Sequence, residues 1–348
     1  MRARARIAVT LGDPGGIGPE IVVRALEHAA ERFPDIAFDV LGSSHAMLAA
    51  ADALGVEPYW WRLDAGSSQP PPEHAGVTLI DSDPALRSSS TLGDGGSPRF
   101  EKRPHAVGGA LSFRWVEDAI EAARLPADDP ARVNGIVTAP ISKEAWNLAG
   151  HRRFPGHTEL LASRFGAKRS LMMFEGPRLR VSLATVHVPL FDVRDQLTIG
   201  RVHDAIDLGA EGCRLLGVAT PRIAVCGLNP HAGESGLLGD EETRLIEPAI
   251  QLAVEHGLDV RGPFPGDTVF LRAIEGEFDL VVAMYHDQGL IPVKLLDRDA
   301  SVNMTVGLPV IRTSPDHGTA FDIAGMGRAN AGSMIAAIDT AVRVATRL

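Results

Sequence analysis

Three histidines stand where a strand-length apolar run stops. FDLVVAMYHD (residues 278–287) delivers His286, LRVSLATVHVPL (179–190) delivers His187, and RIAVCGLNPHAGE (222–234) presents His231 a few residues beyond its run. Open α/β sheets bind ligands outside the carboxyl ends of their strands, so these imidazoles can converge although they are far apart in sequence. Together they read as a three-histidine metal site. Neutral imidazoles leave the full charge on a divalent ion, and open coordination positions accept substrate oxygens. Any single one of the 12 histidines is by default a solvated or hydrogen-bonded residue. The repetition at strand ends, beside Pro, Gly or Asp, is what carries the reading. His203, in RVHDAIDLGAEGCRLL, and His256, in VEHG, fall in helical patterns and read as structural.

Other residues suggest an anionic ligand. FPGHTELL (154–161) puts a glycine, His157 and Thr158 before a helical pattern with Glu159 in its first turn. Backbone N–H groups at a helix N-terminus attract anions, so the stretch fits a phosphate or carboxylate clamp; Thr158 fits a plain N-cap equally well. Lys143 opens the helix after VNGIVTAP (133–140), either facing a site or simply solvated. Beyond His286, Lys294, Asn303 and Arg312 each lie near the end of a short apolar segment. A lysine, an amide and an arginine suit carboxylate and phosphate groups. Asp267, in GPFPGDTVF, and Asp287 can orient ligands from behind.

The elements that must position these groups alternate between strand and helix, which argues for an α/β sheet. IAVTL (7–11) reads as a buried strand, then comes GDPGGIGPE (12–20), with Pro19 in the first turn of a helix. Gly12, Gly15, Gly16 and Gly18 do not fit G-x-G-x-x-G and no acidic residue caps a second strand, so a tight structural turn is expected here in place of a dinucleotide fingerprint. After HAMLAAADALGV the sequence predicts a Pro- and Ser-rich loop through Pro72. Residues 82–108, rich in Ser, Gly and Pro, predict a surface excursion. A helix over about 109–124 packs Phe113, Val116, Ile120 and Ala123 into the core.

A chain of 348 residues, 45% hydrophobic and 5% aromatic, supports a large and mainly aliphatic core. Net charge is −10, and no basic block extends beyond Arg2, Arg4 and Arg6, which excludes nucleic acid as the principal ligand. Cys213 and Cys226 alone give neither a disulfide framework nor a cysteine zinc site. With no secretory signal at the N-terminus and no 18-residue apolar run, the expectation is a cytoplasmic enzyme without a membrane span.

HGTAFDIAG (317–325) resembles the cofactor loop of the isopropylmalate and isocitrate dehydrogenases, which bind NAD or NADP without a Rossmann domain. GDPGGIGPE, TAPISK, GHTE, HVPL, NPHAGE, GPFPGDTVF, YHDQGLIPVK and HGTAFDIAG occur in an order that closely resembles the 4-hydroxythreonine-4-phosphate dehydrogenase family of pyridoxal phosphate biosynthesis. The likeness covers nearly the whole chain. It departs at GDPGG, where GDPAG is usual, and in the Ser- and Gly-rich stretch near 85–105.

The resemblance implies a three-layer α/β/α fold like that of the isocitrate and isopropylmalate dehydrogenases, with two subdomains, 1–148 plus 326–348 and 149–325, and a cleft between them. It implies a divalent metal (zinc, or magnesium, manganese or cobalt) on His187, His231 and His286, and substrate contacts from His157, Thr158, Lys294, Asn303 and Arg312. Cofactor contacts fall on His317, Gly318, Asp322 and Gly325, and catalytic roles on Lys294 and Asp267. A homodimer sharing metal ligands between subunits is implied as well. The expected reaction is NAD(P)-dependent oxidation of 4-phosphooxy-L-threonine at C3, followed by decarboxylation. Alternatives are oxidation of 4-phosphothreonate or 4-phosphoerythronate, oxidation of a cyclic diol dicarboxylate, zinc-dependent hydrolysis, and a purely structural metal.

Overall fold

The structure is a computed structural model and describes residues 5–67, 76–83 and 100–347. The chain divides into two compact units, Met1–Gly166 with Pro309–Leu348, and Ala167–Leu308. Both are α/β, as the alternating sequence pattern predicts.

The first unit holds β1 (Arg6–Thr10), β2 (Ala37–Gly42), β3 (Trp61–Asp64), β4 (Val77–Asp81), β5 (Gly135–Thr138) and β12 (Ile311–Pro315). Their order is β3-β4-β2-β1-β5-β12, with parallel pairing from β3 through β5 to β12. Ile7, Ala8 and Val9 are consecutive and all fully buried. Side chains alternate across a sheet, so such a run requires cover on both faces. Two separate groups of helices provide it. One comprises α1 (Gly18–Arg32), α2 (Ser44–Leu54) and α10 (Gly332–Ala345); the other comprises α3 (Ala106–Arg124), α4 (Lys143–Leu148) and α5 (His157–Phe165).

One expectation is changed here. Trp61–Asp64 is an edge strand within the stretch read as a Pro- and Ser-rich loop; three of its four side chains are exposed, so it shows neither an apolar run nor alternation. Residues 68–75, and residues 84–99 of the expected surface excursion, lie outside the described residues. The departure at GDPGG has a steric reason: a Cβ on Gly15 would lie 2.1 Å from the carbonyl oxygen of Glu101.

The second unit holds β6 (Leu171–Glu175), β7 (Arg180–Leu183), β8 (Arg222–Cys226), β9 (Asp259–Phe264), β10 (Leu280–Ala283) and β11 (Val302–Val306), in the order β11-β6-β7-β10-β8-β9. β6 runs antiparallel to β11 and β7; β7, β10, β8 and β9 are parallel. Period-two alternation divides the residues between faces. Val181, Leu183, Ala224, Cys226, Val281 and Ala283 join one cluster with Val269, Phe270, Leu290 and Val293 of α8 (Val269–Ile274) and α9 (His286–Asp297). The alternate residues face α6 (Ile199–Leu215): Ser182 Oγ donates to the carbonyl of Ala205, and Gly209 leaves room for Leu280.

The pairing has a direct functional consequence. β10 lies between β7 and β8, and these three parallel strands precede His286, His187 and His231. The three histidine segments therefore leave the same edge of one sheet, side by side.

In the first unit, α3 and α4 touch at Gly109, where a Cβ would fall 2.0 Å from the carbonyl oxygen of Ala145. Gly109→Ala is expected to lower the unfolding free energy by about 1–3 kcal/mol through overpacking, measured as a reduced urea midpoint with an unchanged m-value.

Candidate active site

The start of α5 gathers groups that could hold an anion. Gly156, in extended conformation, is the N-cap, and no side chain caps the helix, so Thr158 is not the N-cap residue that its type allows. The first-turn N–H groups are then left to a ligand or solvent. His157 is the first helical residue; its ring meets Trp146 edge-on at 5.5 Å, and Trp146 Nε1 donates to Ser112 Oγ at 3.0 Å. His157 Nε2 is buried and has no hydrogen-bond partner among the described residues.

Burial, then the charges of Arg312 and Lys143, hold His157 well below the usual histidine range, so its ring is neutral. Arg312, on β12, is only 3% exposed and its Nη2 donates to Thr138 Oγ1 at 2.7 Å. Burial pulls its guanidinium down to about 10, against the opposing charge of Glu159, which leaves it cationic at neutral pH. Lys143, the first residue of α4, is exposed and approaches Gly156: a Cβ on that glycine would lie 3.8 Å from Lys143 Cε. Of the expected substrate residues, His157, Thr158 and Arg312 belong to this group; Lys143 joins it.

Lys294 and Asn303 lie in the second unit. Lys294 is part of α9, the helix that His286 opens. Asn303 sits on β11 opposite Phe174, with Oδ1 buried and lacking a hydrogen bond.

The structure brings two of the three metal-candidate histidines together. The rings of His187 and His286 are 5.6 Å apart, and His286 Nδ1–H donates to Asp287 at 2.7 Å. That carboxylate fixes the tautomer and leaves Nε2 free to ligate. Imidazole is the right donor for zinc, cobalt or nickel, so these residues suit a metal in kind. They are short in number: among the described residues no group of three His, Cys, Asp or Glu is arranged to hold an ion within one chain. His231 instead lines a cavity of about 680 Å³ whose wall includes Asn229, Asp267, Asp287 and Gln288. Asp267 and Asp287 thus share surroundings with His231.

The segment 317–325 contains no regular helix or strand. His317, Gly318 and Asp322 are exposed, whereas Gly325 lines a cavity of about 260 Å³ with Gly15, Gly16, Glu20, His45, Phe100 and Lys102. The glycine turn therefore meets the expected cofactor segment. Glu20 fastens them: it is buried and accepts the N–H of Gly327 at 2.9 Å, while its Oε2 has no hydrogen-bond partner among the described residues. Glu20, His45, Phe100 and Lys102 were invisible as site residues in the sequence. An acid in a first helical turn reads as a dipole complement, and only the fold brings it to residue 327.

An uncapped helix N-terminus beside a buried arginine, a lysine and a neutral imidazole, in an α/β protein, is a set of donors suited in kind to an anion such as phosphate. The chain belongs to the family described as pyridoxal phosphate biosynthetic protein PdxA, whose model matches residues 71–341. It is 44% identical over 339 residues to a 4-hydroxythreonine-4-phosphate dehydrogenase of Beijerinckia indica, covering 97% of this chain and 94% of that one. It is also 44% identical over 340 residues to a D-threonate 4-phosphate dehydrogenase of Salmonella typhimurium, covering 97% and 98%. A crystal structure of the 4-hydroxythreonine-4-phosphate dehydrogenase from Klebsiella pneumoniae superimposes with a TM-score of 0.80 at 39% identity, over 98% and 99% of the two chains. No helix among the described residues is long and apolar enough to cross a membrane.

The neutral state of His157 fixes the sign of a pH effect. Its folded value lies below the unfolded 6.5, so the stability it contributes is complete above pH 6.5 and drains as pH falls. One proton gives a slope of up to about 1.4 kcal/mol per pH unit. His157→Asn is expected to flatten the loss of stability between pH 6.5 and 5, checked by urea midpoints across that range.

Proposed function

We propose that the protein is an NAD- or NADP-dependent dehydrogenase that oxidises 4-phosphooxy-L-threonine at C3 to 2-amino-3-oxo-4-phosphooxybutanoate. That β-keto acid then loses carbon dioxide to give 3-amino-2-oxopropyl phosphate, on the route to pyridoxal phosphate. The observation that carries this reading is the buried Arg312 cation beside His157, Lys143 and the α5 N-terminus, in a chain of this family. A desolvated guanidinium favours a multiply charged oxyanion, and the phosphoryl group supplies one.

Each remaining residue is assigned a role by its chemistry. Thr158 adds a hydroxyl donor to the phosphate. Asn303, with Oδ1 lacking a donor, accepts a hydrogen bond from an ammonium or hydroxyl of the substrate. Lys294 handles the proton at C3 or clamps the carboxylate, and Asp267 holds the groups around it in orientation. When bound, a divalent ion on His187, His231 and His286 supplies the positive charge that makes the C3 hydroxyl acidic. The nicotinamide accepts the hydride; its carrier is assigned to the cavity lined by Gly325 and to the exposed His317, Gly318 and Asp322 of the same segment.

A homodimer is inferred from the surface of the second unit. Ile291 and Leu295 of α9 are 59% and 80% exposed one helical turn apart, and Phe191, just after His187, is 93% exposed. We assign these to contact with a second copy, which would also complete the set of metal ligands that one chain leaves short. The cytoplasm is the compartment proposed.

Oxidation of D-threonate 4-phosphate is the second reading, favoured by the Salmonella relative, which is no less similar than the Beijerinckia one. A panel of the two substrates with NAD and NADP decides between them: the preferred substrate gives the higher kcat/KM in the 340 nm assay. Phosphorylated substrates inert with both cofactors would refute both readings. Arg312→Ala is expected to raise KM for the phosphorylated substrate about a hundredfold or more while KM for the nicotinamide cofactor stays within about threefold. Equal losses for both ligands would misplace the phosphate.

A further inference from the structure

The segment that presents His231 is wound against the normal backbone preference. His231, Ala232, Gly233, Glu234 and Ser235 have φ of 52, 53, 79, 43 and 57°, five consecutive residues in the left-handed region. In that conformation the Cβ of an L-residue crowds the following carbonyl oxygen, and only Gly233 escapes. Such backbone persists where its surroundings over-determine it, and it gathers at functional sites.

The surroundings converge on one carboxylate. Glu242 is 3% exposed and opens a π-helical turn, Glu242–Ile246, that leads into α7 (Glu247–Glu255). Its Oε1 accepts the backbone N–H groups of Leu228 and Asn229, both at 2.8 Å. Its Oε2 accepts Asn229 Nδ2 at 2.9 Å, and the same amide donates to Glu241 Oε2 at 2.8 Å. These bonds fix the chain just before Pro230 and His231. On the far side of the turn, a Cβ on Gly233 would fall 2.7 Å from Glu242 Oε2, and one on Gly227 would fall 2.8 Å from Ala232 Cα. The buried side of the segment, at Ala232 and Gly233, is thus closely packed against Gly227 and the Glu242 carboxylate, while His231, Glu234 and Ser235 are exposed.

We infer that Glu242 is the positioning residue for His231: its carboxylate clamps Leu228 and Asn229, supports the left-handed turn, and so aims the imidazole into the cavity shared with Asp267 and Asp287. The inference rests on the functional role given to His231 above. Charge and acceptor geometry both matter. Three N–H donors point at the two oxygens, and a glutamine there must turn its own NH₂ toward at least one of them. Regular helix would serve packing equally well at this point; a π turn commonly marks a local departure that function retains.

The test uses the full chain in four forms: wild type, His231→Ala, Glu242→Gln and the double variant. Each is measured for kcat and KM, for Co²⁺ affinity by absorption titration, and for hydrogen exchange across residues 228–239. Glu242→Gln is expected to lower kcat and Co²⁺ affinity about tenfold or more, to speed exchange in that segment, and to leave KM for the nicotinamide cofactor within about twofold. The double variant is expected to be no worse than His231→Ala, because a group acting through His231 has nothing left to act on. The cycle is read on Co²⁺ affinity if His231→Ala has no measurable turnover. Effects that multiply would mean that Glu242 serves the fold at large, which overturns the inference. So would a Glu242→Gln protein with wild-type exchange and kcat beside an inactive His231→Ala; the functional reading would then stand alone. Full activity and Co²⁺ affinity in His231→Ala would remove both. Should Glu242→Gln fail to fold, Asn229→Ala, which deletes only the bridging amide, must show the same pattern at smaller size.

Discussion

A guanidinium withdrawn from water sets the terms for the first unit. Arg312 lies on a parallel strand beside β5, and its hydrogen bond to Thr138 Oγ1 reaches back to that neighbour. Moving a cation out of solvent is costly unless negative charge comes to meet it. The surrounding groups are arranged to avoid competing for that role. His157 is kept neutral, so it can share the pocket without adding a third positive charge to those of Arg312 and Lys143. The charge of Glu159 opposes the effect of burial and favours the ionised guanidinium. The result is a local concentration of positive charge in a protein whose overall charge is −10. Local concentration of charge does what net charge opposes.

The second unit solves a different problem, which is to bring imidazoles from three places in the sequence to one edge of a sheet. Parallel pairing of β7, β10 and β8 accomplishes this without any of the histidines taking part in the core. The strands below them are packed on both faces, and this rigidity holds the outgoing segments in register. Beyond the sheet edge the segments part ways. His286 opens a helix and is steered by Asp287, whereas His231 sits in a left-handed turn.

How much of this was legible in the sequence depends on whether the signal was local. Runs such as IAVTL and LVVA announce buried strands, since a chain covered on both faces must be apolar at every position. The histidines at strand ends were legible for the same reason, as was the helix after FPG. Trp61–Asp64 was not: an exposed edge strand carries no burial pattern. The left-handed turn at 231–235 was not legible either, because only one of its five residues is a glycine and the conformation is imposed by Glu242 from outside. Glu20 and Lys102 join the cavity at Gly325 only through tertiary approach. Contacts made across hundreds of residues leave no trace in spacing.

The discontinuity of the first unit also orders events on the ribosome. The second unit is complete once Leu308 has been made, whereas β5 still waits for β12 to occupy its open side. An N-terminal domain usually folds first during translation; here the middle of the polypeptide has all its own strands before the unit that precedes it does. Until residue 313 emerges, the nascent chain carries a bare hydrophobic strand edge, the kind of surface that chaperones shield and that aggregation exploits. Arg312 lies on that same late strand, so its guanidinium joins His157 and Lys143 only when the edge is sealed.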